Sequence, residues 1–364
     1  MKQLKILVMI AVGTLLFISH AVHAKVTGSC ANCHTMHNSQ NGSEVVTDPQ
    51  PALTVNNCVG CHSSNLSSTT YTLGDSTVPV VNALSEPVAE NYLAGGNFYW
   101  VAQGEDSKGH NVFLGEGDDD LAEAPGAEIT CGSTSCHNDL SNKWTGDSGL
   151  HDKYGCQGCH LNVAHHADDG DGDYNLVNSA NQGWYRFLSG HNNGAGNGVI
   201  GLEDSDWQAT NSPSDHNEYL GKTTVEDGGW GFNSGFPEPG AYTTTAFCTG
   251  CHGIFHSDQK DGASSWIRHP ADAVLPTDAQ YSNYNNGAGY NPIAPVARDD
   301  LTGYTAPNSV VTAGSDMVMC LSCHRPHGSP YDDILRWDYS GMNAGGGGAD
   351  GTGCFVCHTN KDGS

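Results

Sequence analysis

All 14 cysteines of this 364-residue chain fall into seven pairs, and a histidine follows each pair directly. Six pairs read Cys-x-x-Cys-His: Cys30/Cys33/His34, Cys58/Cys61/His62, Cys156/Cys159/His160, Cys248/Cys251/His252, Cys320/Cys323/His324 and Cys354/Cys357/His358. The seventh is wider, with four residues between Cys131 and Cys136, then His137. On one helical turn, residues i, i+3 and i+4 share a face. Two thiols and an imidazole placed there converge on one group. Thiols so placed suit thioether bonds to the two vinyl groups of a haem, and the imidazole suits the proximal position on its iron. This is the attachment pattern of c-type haem. The motifs predict seven haems, or six if the Cys131/Cys136 pair forms a local disulfide instead. Zinc knuckles do not require a histidine after every pair. Disulfides between such close cysteines are strained and reducible. A thioredoxin-like redox pair would need a βαβ background, which the chain lacks.

A haem iron takes a second axial ligand. Of the 19 histidines, His20 and His23 lie in the leader and seven follow cysteines. That leaves ten. His37, His110, His151, His166, His216, His256, His269 and His327 are the candidates for distal ligands; His165 and His191 are weaker ones. Seven irons need at most seven of them, so every haem can be bis-histidine. Such an iron has no open position for a substrate, and its work is electron transfer. Met36, Met317, Met319 and Met342 are a poorer source of ligands.

Lys2 and Lys5 precede an apolar run, Ile6 to Ile18, and small residues at Val22 and Ala24. This pattern predicts a secretory leader over 1–24, cut after Ala24. The run is short for a membrane anchor, and no later segment has the length to span a bilayer. Removing Lys2 and Lys5 from the 14 basic residues leaves 12 against 40 acidic ones, a formal charge of −28. Such a surface excludes nucleic acid as a natural partner and favours solubility. Hydrophobic residues are 37% of the chain and there are 47 glycines. With so few apolar side chains, cofactors must fill much of the core. The expected fold is irregular, mostly loop with short α-helices and little β, built around a stacked haem chain. Motif spacing divides the chain into the leader at 1–24, a two-motif segment at 25–125, the wide motif and its neighbour at 126–220, and three motifs at 221–364. Asp168 to Asp173 spaces carboxylates like a calcium loop but lacks the glycine and closing glutamate of an EF-hand; a solvated acidic loop is the plainer expectation.

Cys30-Ala-Asn-Cys33-His34-Thr-Met-His37, Lys108-Gly-His110-Asn, Arg268-His269-Pro, Cys320 through His327, and Leu335-Arg-Trp through His358 occur in an order that resembles the extracellular multihaem cytochrome filaments, or cytochrome nanowires, of metal-reducing bacteria. The middle third departs from that family. Cys131 to His137, Cys156 to His160, His165-His166, and Tyr185-Arg-Phe-Leu through Asp215-His216 resemble a paired-haem module set into that frame. The resemblance implies subunits stacked head to tail, a continuous haem chain, and His37 ligating a haem of the next subunit. It also implies an electron carrier rather than an enzyme, placed outside the cell or on its outer surface. Its partners would be other copies, periplasmic and outer-membrane cytochromes, and external acceptors such as metal oxides. A monomeric periplasmic electron-transfer cytochrome and a multihaem oxyanion reductase are the alternatives; the latter would need a haem with an open axial position.

Overall fold

Each attachment motif must bring three side chains onto one face within five residues, and the backbone does this with a single turn. In a computed structural model that describes residues 26–47, 50–88, 90–112, 155–167, 170, 172–189, 198–223, 242–249, 251–252, 269–345 and 351–361, the same turn recurs. The amide of the motif histidine donates to the carbonyl of the first cysteine at His34 (2.8 Å), His160 (2.9 Å), His252 (3.1 Å), His324 (3.1 Å) and His358 (3.0 Å). Four short helices carry motif cysteines: α1 (Cys58–His62), α3 (Cys156–Cys159), α4 (Thr244–Cys248) and α5 (Cys320–Cys323). Cys30–Asn32 and Gly353–Val356 form 3-10 turns. Between them, α2 (Tyr99–Ala102) buries Trp100 and Val101. Helices this short are not stable alone, so local caps and tertiary contacts hold them. Asn57 caps α1 by accepting from the Gly60 amide at 2.7 Å. Thr243 caps α4, accepting from Ala246 at 3.0 Å while donating to buried Asp272 at 2.8 Å.

Among the four α-helical motifs, one departs from the expected turn. In α1, α3 and α5 the helix begins at the first cysteine and includes the second, whereas α4 ends at Cys248 and leaves Cys251 beyond it. The reason is the upstream cap. Capped by Thr243, α4 starts at Thr244, four residues before Cys248, so Cys248 meets the end of a helix instead of its beginning. The turn is nevertheless kept, because the Cys248 carbonyl accepts from both the Cys251 amide and the His252 amide, each at 3.1 Å.

Strands are equally short. β1 (Ser39–Gln40) pairs antiparallel with β2 (Ser43–Glu44), and β3 (Ser63–Ser64) pairs parallel with β6 (Asn82–Ala83). β4 (Thr70–Leu73) and β5 (Ser76–Pro79) form a tight hairpin. Its Gly74 has φ +63°, and a Cβ there would strike the Asn32 side chain, so the turn requires glycine. A six-stranded sheet is built from β7 (Asn175–Val177), β8 (Gly201–Glu203), β9 (Glu218–Leu220), β10 (Ala273–Val274), β11 (Ala297–Arg298) and β12 (Met317–Val318), in the order β10-β12-β11-β9-β8-β7. Its pairs are antiparallel except β9 with β11, which sets Tyr219 beside Ala297.

The architecture is mostly loop, with few short helices and little strand. The sheet, however, crosses the boundary expected at 220/221, because β9 pairs with β11. The first segment also joins the last, with the His327 amide donating to Gly95 and the Ser329 amide to Lys108. Two small apolar clusters lie beside the motifs. One gathers Leu275, Tyr284, Tyr290, Val296, Trp337 and Val356, with Cys323, Cys354 and Cys357 packed against it. The other gathers Tyr185, Val199, Tyr219, Ala297, Met317 and Met319. Among the described residues no helix is long and apolar enough to cross a membrane.

Candidate haem sites

The turns aim their histidines by fixing one ring nitrogen. The Nδ1–H of His34 donates to the Ala52 carbonyl (3.0 Å), that of His62 to Pro79 (2.9 Å), that of His160 to Arg186 (3.0 Å) and that of His324 to Asp333 (2.9 Å). Two histidines outside the motifs do the same, His110 to Pro326 (2.8 Å) and His269 to Pro270 (3.0 Å). His358 Nδ1 meets the Gln280 side-chain amide. Each bond to a carbonyl leaves Nε2 free to ligate and fixes the ring plane, as metal-bound imidazoles require. Burial is the leading influence on several of these rings. It lowers His62 and His324, brings His160 down to about 4, and, with neighbouring imidazoles, brings His327 down to about 3. These rings are therefore neutral at physiological pH, the form that binds a metal.

Five motif histidines each face a histidine from elsewhere in the chain. Ring centres are 6.3 Å apart for His34 and His166, 6.1 Å for His62 and His165, 6.2 Å for His160 and His327, 6.1 Å for His252 and His110, and 6.1 Å for His358 and His269. A metal about 2 Å from each nitrogen, the usual metal–imidazole distance, puts two ring centres about 6 Å apart. The residues thus fit an iron between each pair. Two buried guanidiniums beside the Cys320 motif also fit haem, whose propionates are anionic. Arg325 and Arg336 bond only backbone carbonyls among the described residues, and Arg325 Nε is buried without a partner. Burial, then the charge of Arg336, lowers Arg325 to about 9.

The motifs also adjoin one another in chain order. Burial raises the Cys61 thiol, and nearby Cys33 raises it further. The Cys156 thiol lies beside that of Cys58 and lowers it to about 7. Cys320, burial and then Cys159 raise the Cys248 thiol, so all three thiols lie near one another. Cys323 feels Cys357. A continuous run therefore links the six described motifs, from Cys30/Cys33 to Cys354/Cys357. Cys251 stands in this run although it lies outside its helix: its half-buried thiol is close enough to raise that of Cys248. The pair therefore still presents two thiols beside His252.

Not every expected ligand stands at such a site. His216 is fully buried, its Nδ1 against the Ser212 carbonyl (3.1 Å) and its Nε2 against Glu218 (3.2 Å), with its ring stacked 3.6 Å from Tyr290. Both nitrogens are engaged and one face is covered, so His216 belongs to a structural network. His165, a weaker expectation, is instead opposed to His62. The clue was the His165-His166 doublet, which serves two different motifs. His37 is exposed, with φ +55°. Met317 and Met319 are packed in an apolar cluster. Cys131, Cys136, His137, His151, His191 and His256 lie outside the described residues, as do the expected leader at 1–24 and Asp168, Asp169 and Asp171 of the acidic loop; Asp173 accepts from Ser205.

Residues 309–363 match the model of the doubled CXXCH motif family. The chain is 24% identical to the C-type cytochrome OmcS of Geobacter sulfurreducens, over 93% of this chain and 85% of that one. This chain is similar to a c-type cytochrome. Its covalently bound cofactor is haem c. Among solved structures, it is similar to the outer-membrane cytochrome S filament of the same organism, at 19% identity, with 87% of this chain and 85% of that one covered and a TM-score of 0.44. A second structure of OmcS nanowires gives 18% identity, coverage of 86% and 84%, and a TM-score of 0.39.

Proposed function

We propose that this chain is an exported heptahaem cytochrome that carries electrons and polymerises with copies of itself into an extracellular conduit. The observation that supports it is the set of five imidazole pairs whose ring centres lie 6.1–6.3 Å apart. Bound haem supplies one-electron exchange between ferric and ferrous iron, and two imidazoles per iron leave no place for a substrate. His34, His62, His160, His252 and His358 are assigned as proximal ligands, with His166, His165, His327, His110 and His269 opposite them. His137 and His324 are the remaining proximal ligands, and all seven motifs carry haem, the Cys248/Cys251 pair included. The chain-order run of motifs suits stepwise passage of electrons from one haem to the next. The Asp168–Asp173 loop is a solvated surface, with bound calcium as its alternative.

Among the described residues, His324 faces no second imidazole, while His37 is exposed between exposed Met36 and the β1–β2 turn. We assign His37 to a haem of the next subunit. Such a contact does not close on itself and gives an open filament. Other cytochromes would supply electrons, and metal oxides outside the cell would accept them.

Mass spectrometry and electron paramagnetic resonance of the purified holo-protein test the carrier. Seven haems and only low-spin ferric signals are expected. A high-spin haem would overturn it in favour of a reductase. Cryo-electron microscopy tests the polymer, with discrete monomers the overturning result. His37→Ala should abolish or shorten filaments while all haems stay attached; normal filaments would refute the role given to His37.

A further inference from the structure

The axial histidines are not held alike, and the difference falls in the middle of the haem row. Six imidazoles with ligand roles donate Nδ1–H to a backbone carbonyl at 2.8–3.0 Å. His327 Nδ1 is buried with no hydrogen-bond partner among the described residues. The residue as a whole is half-buried. The sealed edge lies against Gly95: a Cβ built there would be 3.2 Å from Nδ1. Phe98 stacks on the ring with centres 4.7 Å apart. His327 is thus wedged between a glycine and an aromatic face, with no acceptor for its proton among the described residues.

We infer that His327 makes the haem of Cys156/Cys159 the most oxidising in the described row, a well for electrons at its centre. The inference rests on the His160/His327 pairing proposed above. A hydrogen bond from Nδ1–H makes an imidazole more basic and a stronger donor to iron, which favours the ferric state. Without that bond the ring donates less, and the ferrous state gains. The apolar cover of Phe98 acts the same way, because a low-dielectric surrounding disfavours the more highly charged ferric centre. Gly95 is the residue that sets this condition. A larger side chain with an oxygen would occupy the gap and accept the proton. The Gly95 carbonyl is itself engaged, accepting from the His327 amide at 2.8 Å.

The test compares Gly95→Ser with Gly95→Ala in the holo-protein by spectroelectrochemical titration. Both add the same Cβ, but only serine adds an acceptor. The component at the most positive end of the wild-type titration should move to lower potential in Gly95→Ser and move less in Gly95→Ala, with haem content unchanged. Equal titrations for the two variants would overturn the inference. A high-resolution cryo-electron microscopy map of the native protein decides the matter even if neither variant folds. His327 ligating the haem of Cys156/Cys159, with no protein or water oxygen within about 3.2 Å of Nδ1, supports the inference. The same ligation with an oxygen in reach overturns it. A map in which His327 ligates another haem, or none, overturns the pairing and the inference with it.

Discussion

Arg298 is the residue on which the largest buried ionic network among the described residues turns. It is 2% exposed. Its Nε donates to Glu218 at 2.8 Å and its Nη1 to Asp316 at 2.6 Å, with further bonds to the Val310 and Asn308 carbonyls. Burial alone would raise Glu218, but the hydrogen bonds from His216 and Arg298 outweigh it and hold the carboxyl below its ordinary value. Removing the arginine strands two buried carboxylates, so Arg298→Met should cost about 3–5 kcal/mol. Glu218→Gln, which keeps much of the bonding, should cost less. Urea unfolding of the holo-protein, followed by far-ultraviolet circular dichroism, measures both. Residue type and spacing alone made the Cys-x-x-Cys-His motifs legible, because their groups meet within one turn. The same evidence could not separate His216 from a ligand. Its role depends on Glu218, on Ser212 and on Tyr290, a residue far along the chain that no local spacing points to.

At the scale of elements, the turn Asp204–Gln208 joins β8 to the segment that leads into β9. Asp204 accepts from the amides of Asp206 (3.1 Å) and Gln208 (3.0 Å) and is 3% exposed. Burial, and then the neighbouring Asp206 side chain, raises its carboxyl to about 7. The folded state therefore holds a proton that the unfolded chain releases near its ordinary value of 3.8. The resulting stabilisation is fully present below about pH 4 and is lost as pH rises through about 7. Thermal unfolding between those limits should show this loss, and Asp204→Asn should flatten it. A slope unchanged by the substitution would refute the assignment. The loop-dominated character was readable from glycine, asparagine and aspartate content. The six-stranded sheet was not, because its strands are two or three residues long and pair across large separations, leaving no alternation to detect. The opposed histidines were hidden for the same reason: His110 is anchored by the Pro326 carbonyl, 216 residues away.

At the scale of the molecule, net charge opposes the proposed polymer. Copies of a chain with a formal charge of −26 repel one another. What can hold them is short-ranged: a ligand bond from His37, and burial of exposed apolar side chains beside it. Met36 is 69% exposed and Leu53 47%, and the Thr35 amide bonds the Leu53 carbonyl at 2.7 Å, which fixes the two segments side by side. Salt screens the repulsion over about 8 Å at physiological ionic strength and over about 30 Å at 0.01 M, while leaving ligation and apolar burial largely intact. Filaments should therefore shorten or dissociate on dialysis into low salt and lengthen again when salt is restored. Lowering the pH towards the isoelectric point of 4.8 removes charge from the surface, and should bring filaments together side by side. Negative-stain electron microscopy across a salt series at fixed pH measures the first effect. If length is the same from low to high salt, charge repulsion is not what limits assembly, and the His37 contact alone sets it; His37→Ala filaments compared across the same series would then separate ligand loss from electrostatics.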